Sequence, residues 1–280
     1  MEYVGIIGLL LVITTVGISY KGFSNAVFFD RNKFEVEGIL VRKEYGRILS
    51  SGFLHGSWMH LIFNMLSLYA FSDSIEYILG GINFLLIYFA SLVGGNLFGL
   101  FIHRHHPDYS AIGASGAVSG IIFAAIALFP GITIHFMFVP FGIPSWLYGV
   151  LFMAFSIYGI RSNRDNIGHE AHLGGALIGM MVTLALRPRL FLHNYVTVLL
   201  IAVPALVFIY LVITRPSILL VNNYFGSPKK DDLPDHLYNE RKNQHQKEMD
   251  RILDKIGEKG MESLSKKEKE KLEEYSKRIR

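Results

Sequence analysis

Apolar runs alternate with short polar breaks along the chain, near residues 3–20, 59–79, 82–102, 114–130, 145–160, 169–187 and 194–214. Each approaches the roughly 20 residues that a helix needs to cross a bilayer. Inside hydrocarbon every backbone polar group must be satisfied within the protein, so the seven runs are predicted to be membrane-spanning helices. The first starts Met1-Glu2-Tyr3 without a basic n-region and reads as a retained span rather than a secretory signal. One connection is long, from Lys21 to Trp58, and the others are short.

Beyond Pro216 the pattern changes. Met249, Ile252, Leu253 and Ile256 form one helical stripe, and Gly257 to Gly260 interrupts it. Ser265-Lys266-Lys267-Glu268 then has the form of a capping box opening a second helix with Leu272, Tyr275 and Ile279 on one side. This reads as a small helical hairpin, a spacer or docking surface rather than a place for chemistry.

Composition sharpens the division. The chain is 51% hydrophobic and 18% charged, and more than half of its charged residues lie beyond Pro216. A single water-soluble globule is therefore excluded. The net charge of +4 is small and mixed in sign, which gives no support to a nucleic-acid partner. With Cys 0, disulfide scaffolds, thiolate nucleophiles and thiolate zinc sites are excluded.

The few polar residues inside the apolar runs then carry the functional information, because polar groups at such depth face inward and serve function. His60 and Asn64 are four apart on the second run, with His55 just upstream. The fourth run opens Gly113-Ala114-Ser115-Gly116-Ala117-Val118-Ser119-Gly120, and the sixth opens His169-Glu170-Ala171-His172-Leu173-Gly174-Gly175, with Gly179 one turn on. Gly116 with Gly120, and Gly175 with Gly179, each line one helix face and permit close backbone approach. On composition alone, tight packing through small residues is the simpler account. If the two glycine faces meet, however, Ser115 and His172 lie at similar depth. A serine beside an imidazole base is an activated nucleophile, and His60 with Asn64 can donate to an oxyanion. No carboxylate is placed to orient the base, so the arrangement is a dyad.

These residues resemble the rhomboid family of intramembrane serine proteases. The family pattern of two histidines and an asparagine entering the second core helix is similar to His55, His60 and Asn64; its GxSGxxxG to Gly113, Ser115, Gly116 and Gly120; and its AHxxGxxxG to Ala171, His172, Gly175 and Gly179. The resemblance implies an all-α polytopic protein with a six-helix core, a seventh transmembrane helix and a soluble hairpin. It implies Ser115 as nucleophile and His172 as general base, with His60, Asn64 and the Ser115 backbone N–H holding the oxyanion. His55, Gly113, Gly116, Gly120, Gly175, Gly179 and Ser119 would be supporting residues, and Glu76 with Gly80 a structural pair. The long first loop would be membrane-embedded, with Arg47 eight residues before His55. Gly46 stands where the family usually has tryptophan, and Ser119 where it commonly has an aromatic on the catalytic imidazole. The Ser119 hydroxyl is expected to contact His172 directly or through water.

The organisation expected is a membrane core over 1–190, a seventh helix over 191–216, a linker over 217–245 and the hairpin over 246–280. The function implied is endoproteolysis of transmembrane-helix substrates, with no cofactor or metal. The partners implied are such substrates and the bilayer, with no nucleic acid and no partner identified for the tail. The location implied is a bacterial plasma membrane. The alternative is a catalytically silent rhomboid-like binder of transmembrane segments. A transporter is disfavoured because Asp73, Glu76 and Asp108 form no evident path. His169 and His172 are three apart, where the metalloprotease motif needs four. His103, His105 and His106 read as a solvated interfacial loop, His135 lies beside an interfacial aromatic loop running from Phe136 to Trp146, and Arg187 and Arg189 read as headgroup anchors.

Overall fold

A computed structural model describes residues 5–135, 141–162 and 167–214, together with 251, 252, 255, 256, 263–265 and 268 near the C-terminus. It divides into two compact units, Met1–Gly226 and Ser227–Arg280. The first contains α1 (Ile6–Ser24), α2 (Ala26–Asn32), α3 (Val36–Leu40), α4 (Arg47–Ser50), α5 (Trp58–Leu79), α6 (Gly81–His103), α7 (Ser115–Leu128), α8 (Ser145–Ser162), α9 (His169–Leu186) and α10 (Arg189–Thr214). Two short antiparallel ladders join loops: β1 (Phe34–Glu35) with β2 (Ser110–Ala111), and β3 (Thr133–Ile134) with β4 (Ile143–Pro144). The protein is an all-α polytopic membrane protein.

Each of the seven apolar runs is a helix, with boundaries set by local chemistry. Ser57 caps α5, accepting from the His60 amide at 3.2 Å. Gly80, at φ 82°, ends α5 in a conformation that side chains rarely adopt and lets α6 start at once. The seventh run lies in Arg189–Thr214, which is broken at Asn194, whose φ of −120° and ψ of 17° are not helical. The Asn194 amide donates instead to the Ala127 carbonyl at the end of α7.

Not every run is long enough to span alone. Among the described residues, three helices combine the length and apolarity to cross a membrane: Ile6–Ser24, Gly81–His103 and Arg189–Thr214. α7 has 14 residues, about 21 Å of helix against roughly 30 Å of hydrocarbon. The expectation of a full span there is corrected. α7 is buried on all sides from Gly116 to Ala127, so its neighbours rather than lipid surround it. α6 and α9 flank it, while large apolar side chains on α1, α5, α8 and α10 remain exposed, as a lipid-facing surface requires.

The segment after α1 is a folded plug. Arg47 is 7% exposed, pairs with Glu44 at 2.5 Å and donates to the carbonyls of Asp30 at 2.6 Å and Lys33 at 3.0 Å. An arginine is needed there because its planar fork reaches several acceptors at once. Gly46 faces open space, with no atom within 4 Å of where a Cβ would stand. The plug is tied to the core by Asn96, whose amide donates to the Ile48 carbonyl at 2.7 Å and to Ser51 Oγ at 3.2 Å.

α10 lays Val198, Ile201, Ala205, Phe208 and Val212 inward as a single stripe, and Ile201 fills the space above Gly149 of α8. Arg187, expected at the headgroups, donates to the Ile78 carbonyl at 3.3 Å. Of the interfacial loop, Phe136–Pro140 lies outside the described residues; its flanks close through β3 and β4, and Ser145 donates to the Phe129 and Pro130 carbonyls.

In the second unit the Ser265 amide donates to the Glu268 carboxylate at 2.7 Å and the Glu268 amide to Ser265 Oγ at 3.4 Å, the reciprocal capping box expected. Lys255 pairs with the same carboxylate at 2.9 Å. Met249, Leu253, residues 257–260, Leu272, Tyr275 and Ile279 lie outside the described residues.

Candidate functional site

The site is organised by the crossing of α7 and α9. A Cβ on Gly175 would stand 2.1 Å from the Gly116 carbonyl oxygen, and one on Gly179 would stand 2.3 Å from that of Gly120. Real side chains do not approach backbone so closely, so the two glycine faces meet through bare backbone. Gly116 in turn faces the Ala171 carbonyl, 3.1 Å from its Cβ position. The residue after Ser115 thus meets the residue before His172. α6 joins the same contact through Gly95, whose Cβ position lies 2.5 Å from the Ala171 oxygen, and through Ser91 beside Gly120. Gly95 and Gly99 are four apart on the third apolar run, a spacing so common among membrane helices that it does not by itself mark a third partner at this crossing.

Ser115 is the first residue of α7, and Ala114 before it offers no side-chain cap, so the first-turn N–H groups are left for another acceptor. Gly113 has φ 121°, and its amide donates to the Ser51 carbonyl at 3.0 Å. His60 and Ser115 converge above it: a Cβ on Gly113 would lie 2.9 Å from His60 Nε2 and 3.6 Å from Ser115 Oγ. Only glycine admits both the backbone conformation and the imidazole. Asn64, 7% exposed, lies one turn beyond His60 and donates to its carbonyl at 3.0 Å, which leaves one amide hydrogen for other use. His172 lies 6.1 Å, centroid to centroid, from both Phe152 of α8 and His169. Ser119 is buried one turn along α7 from Ser115.

His55 holds this arrangement from behind. Its Nε2 accepts from the Ala114 amide at 3.4 Å, so its proton resides on Nδ1, which donates to Ser19 Oγ at 2.9 Å; that hydroxyl donates to the Phe53 carbonyl at 2.8 Å. Burial, reinforced by His60 at 4.8 Å, lowers its pKa to about 3 and keeps it neutral.

The carboxylates of α5 and α9 have definite partners. Glu76 and Asp73 of α5 accept from the first amides of α1. Glu170 pairs with His103 Nε2 at 3.0 Å, and His103 stacks on Tyr109 at 3.6 Å. The expectation that His103 belongs to a solvated loop is corrected: it ends α6, is 9% exposed and has a buried acid to answer. His105 is exposed, as expected.

A family model described as the rhomboid domain matches residues 42–189, more than half of the chain. The chain belongs to the rhomboid family. A second match, over residues 234–278, is to a family of unknown function (DUF6576). Rhomboid relatives include Rhomboid protein 1, mitochondrial, of Saccharomyces cerevisiae, 30% identical over 53% of this chain and 45% of that protein. RHOMBOID-like protein 12, mitochondrial, of Arabidopsis thaliana is 29% identical over 65% of this chain and 58% of its own length. Rhomboid protease AarA of Providencia stuartii is 28% identical over 58% of this chain and 62% of its own. The chain spans about half the length of the first two of these relatives.

Proposed function

We infer that this rhomboid-family chain is an intramembrane serine endopeptidase acting on transmembrane-helix substrates. Ser115 Oγ attacks the peptide carbonyl as His172 takes its proton, and the C–N bond breaks as His172 returns that proton to the leaving amine. Water, deprotonated by His172, then attacks the acyl carbonyl, and the ester bond breaks as His172 returns that proton to Ser115 Oγ. The oxyanion is held by the Ser115 backbone N–H and His60, with the remaining amide hydrogen of Asn64 in reserve. The observation that supports this reading is the glycine crossing, which joins Gly116 to Ala171 and so draws the neighbours of Ser115 and His172 together.

A short α7 buried among other helices accords with chemistry below the membrane surface, where water is scarce and each donor counts for more. A bacterial plasma membrane is the location proposed. The relative in Providencia stuartii supports it, and the mitochondrial relatives make an organelle membrane the competing location that cell fractionation decides.

The test is labelling of the detergent-purified protein with a fluorophosphonate. Wild type is expected to label and to cut a model transmembrane substrate, and Ser115→Ala and His172→Ala to do neither. A folded wild-type protein that neither labels nor cuts replaces the protease with a silent binder of transmembrane segments.

A further inference from the structure

α9 carries His172 in its first turns, yet its start has no cap of its own. Gly168, at the N-cap position, has no side chain to offer, and the first helical hydrogen bond runs from the His172 amide to the Gly168 carbonyl at 3.1 Å. Something else must hold this turn in place.

Glu170 is in that turn, 7% exposed, two residues before His172. Its Oε1 lies 3.0 Å from His103 Nε2, and Tyr109 donates its hydroxyl to Oε2 at 3.5 Å. His103 and Tyr109 are stacked with their rings 6° from parallel, and His106 lies beside His103, with 3.4 Å between the two Nδ1 atoms. The approach is made possible by small residues on α6: Gly95 faces the Ala171 carbonyl, Gly99 faces Glu170 Cβ at 3.9 Å, and His103 follows at the same four-residue interval. Tyr109 is anchored in turn to the folded plug, its carbonyl accepting from the Val36 amide at 3.1 Å. Burial together with the Glu170 carboxylate holds the Tyr109 phenol well above its ordinary pKa, so it stays a donor.

A buried carboxylate is costly unless paired, and this one sits where the positive end of α9 also favours it. Its two oxygens point to two different elements. We propose that Glu170 is a positioning residue for His172: through His103 and Tyr109 it pins the first turn of α9 to the end of α6 and to the plug, and so fixes the imidazole relative to Ser115. The proposal rests on the protease reading for its catalytic consequence and on the contacts alone for the pinning.

The experiment compares full-length wild type, E170A, E170Q and Y109F in detergent by two readouts. The first is the fluorophosphonate inactivation rate, resolved into inhibitor binding and the chemical step. The second is amide hydrogen exchange along α9. E170A is expected to slow the chemical step roughly ten- to a hundredfold with inhibitor binding unchanged, the size of effect that slight misplacement of a reacting group produces. Its exchange should rise at residues 170–173 and stay as in wild type over the glycine crossing. E170Q, which can still accept from Tyr109 and reach His103, should recover most of both readouts, and Y109F should lie between. E170A that labels at the wild-type rate, or that loses protection uniformly along α9, overturns the proposal. A wild type that does not label while E170A still shows the local exchange change removes the protease reading and supports the pinning; absence of that local change overturns the pinning whatever the labelling shows.

Discussion

The Gly8 amide donates to the Glu76 carboxylate at 2.5 Å, joining the bare N-terminus of α1 to an acid 68 residues away on α5. Ile7 donates to the other carboxylate oxygen at 3.2 Å, and Gly5 to Asp73 at 2.9 Å. α1 has no side-chain cap of its own, so α5 supplies one, and the carboxylates meet the positive helix end. Glu76→Ala leaves buried amides without an acceptor. It is expected to destabilise the protein by about 2–3 kcal/mol in detergent unfolding, with Glu76→Gln costing less. A loss below about 0.5 kcal/mol for the alanine variant, the range of ordinary surface changes, would show that α1 is held by packing alone.

Gly175→Ala should be among the most damaging single-methyl additions in the chain. Its Cβ would meet the Gly116 oxygen at 2.1 Å, where neither backbone can yield without parting α7 from α9. About 1–3 kcal/mol of stability is expected to be lost, and labelling of Ser115 with it. Gly17→Ala is the matched control: no atom lies within 4 Å of its Cβ position, and alanine suits a helix interior better. Equal behaviour of the two variants would contradict the crossing.

Acid should destabilise the protein through His55. The imidazole is neutral in the fold, with a pKa lowered to about 3 by burial and by His60, whereas an unfolded histidine titrates near 6.5. The unfolded chain therefore binds the extra proton, and the His55 contribution is fully present above about pH 6.5. It is lost as pH falls toward 3, by about 1.4 kcal/mol per unit. Unfolding of wild type and His55→Gln at pH 7, 6 and 5 should converge on acidification. Parallel curves would mean that His55 does not carry the dependence.

Ser119 occupies the buried position one turn below Ser115. Ser119→Ala is expected to lower the rate of substrate cleavage several-fold and to alter its pH profile, if the hydroxyl supports His172 as proposed. An unchanged rate and profile would remove that role.

In the tail, Glu268 should titrate at about 2, because the Ser265 amide and the Lys255 ammonium both favour its charged form. The stabilisation is present above the ordinary carboxylate range and is lost as pH falls toward 2. Lys255→Met should raise the value seen by NMR titration of the full chain. A Glu268 that titrates near 4.5 in wild type would show that the box does not persist in solution.

Much of this was legible in the residues. A helix surrounded by lipid or by other helices needs an apolar run, so the seven helices stand out whatever their neighbours are, while the shortness of α7 shows only in the structure. His55, His60, Asn64, Ser115 and His172 stand out because polar groups are rare among such runs. The Ser265–Glu268 box is local and could be read within four residues. Other features gave no local sign. Glu170 stands between two histidines spaced too closely for the metalloprotease motif, and nothing beside it in the sequence points to its partner His103, 67 residues away. Gly95 and Gly99 escaped notice because a third helix at the crossing has no periodicity that separates it from ordinary small-residue packing.

The sequence by itself determined which segments leave water and which few polar residues they carry with them, because transfer into hydrocarbon acts on each segment separately. Only the tertiary structure decided what those residues face. The cap on α1, the neutral state of His55 and the pinning of α9 each depend on groups brought together from distant segments, and their energies exist only once burial has removed water as the competing partner.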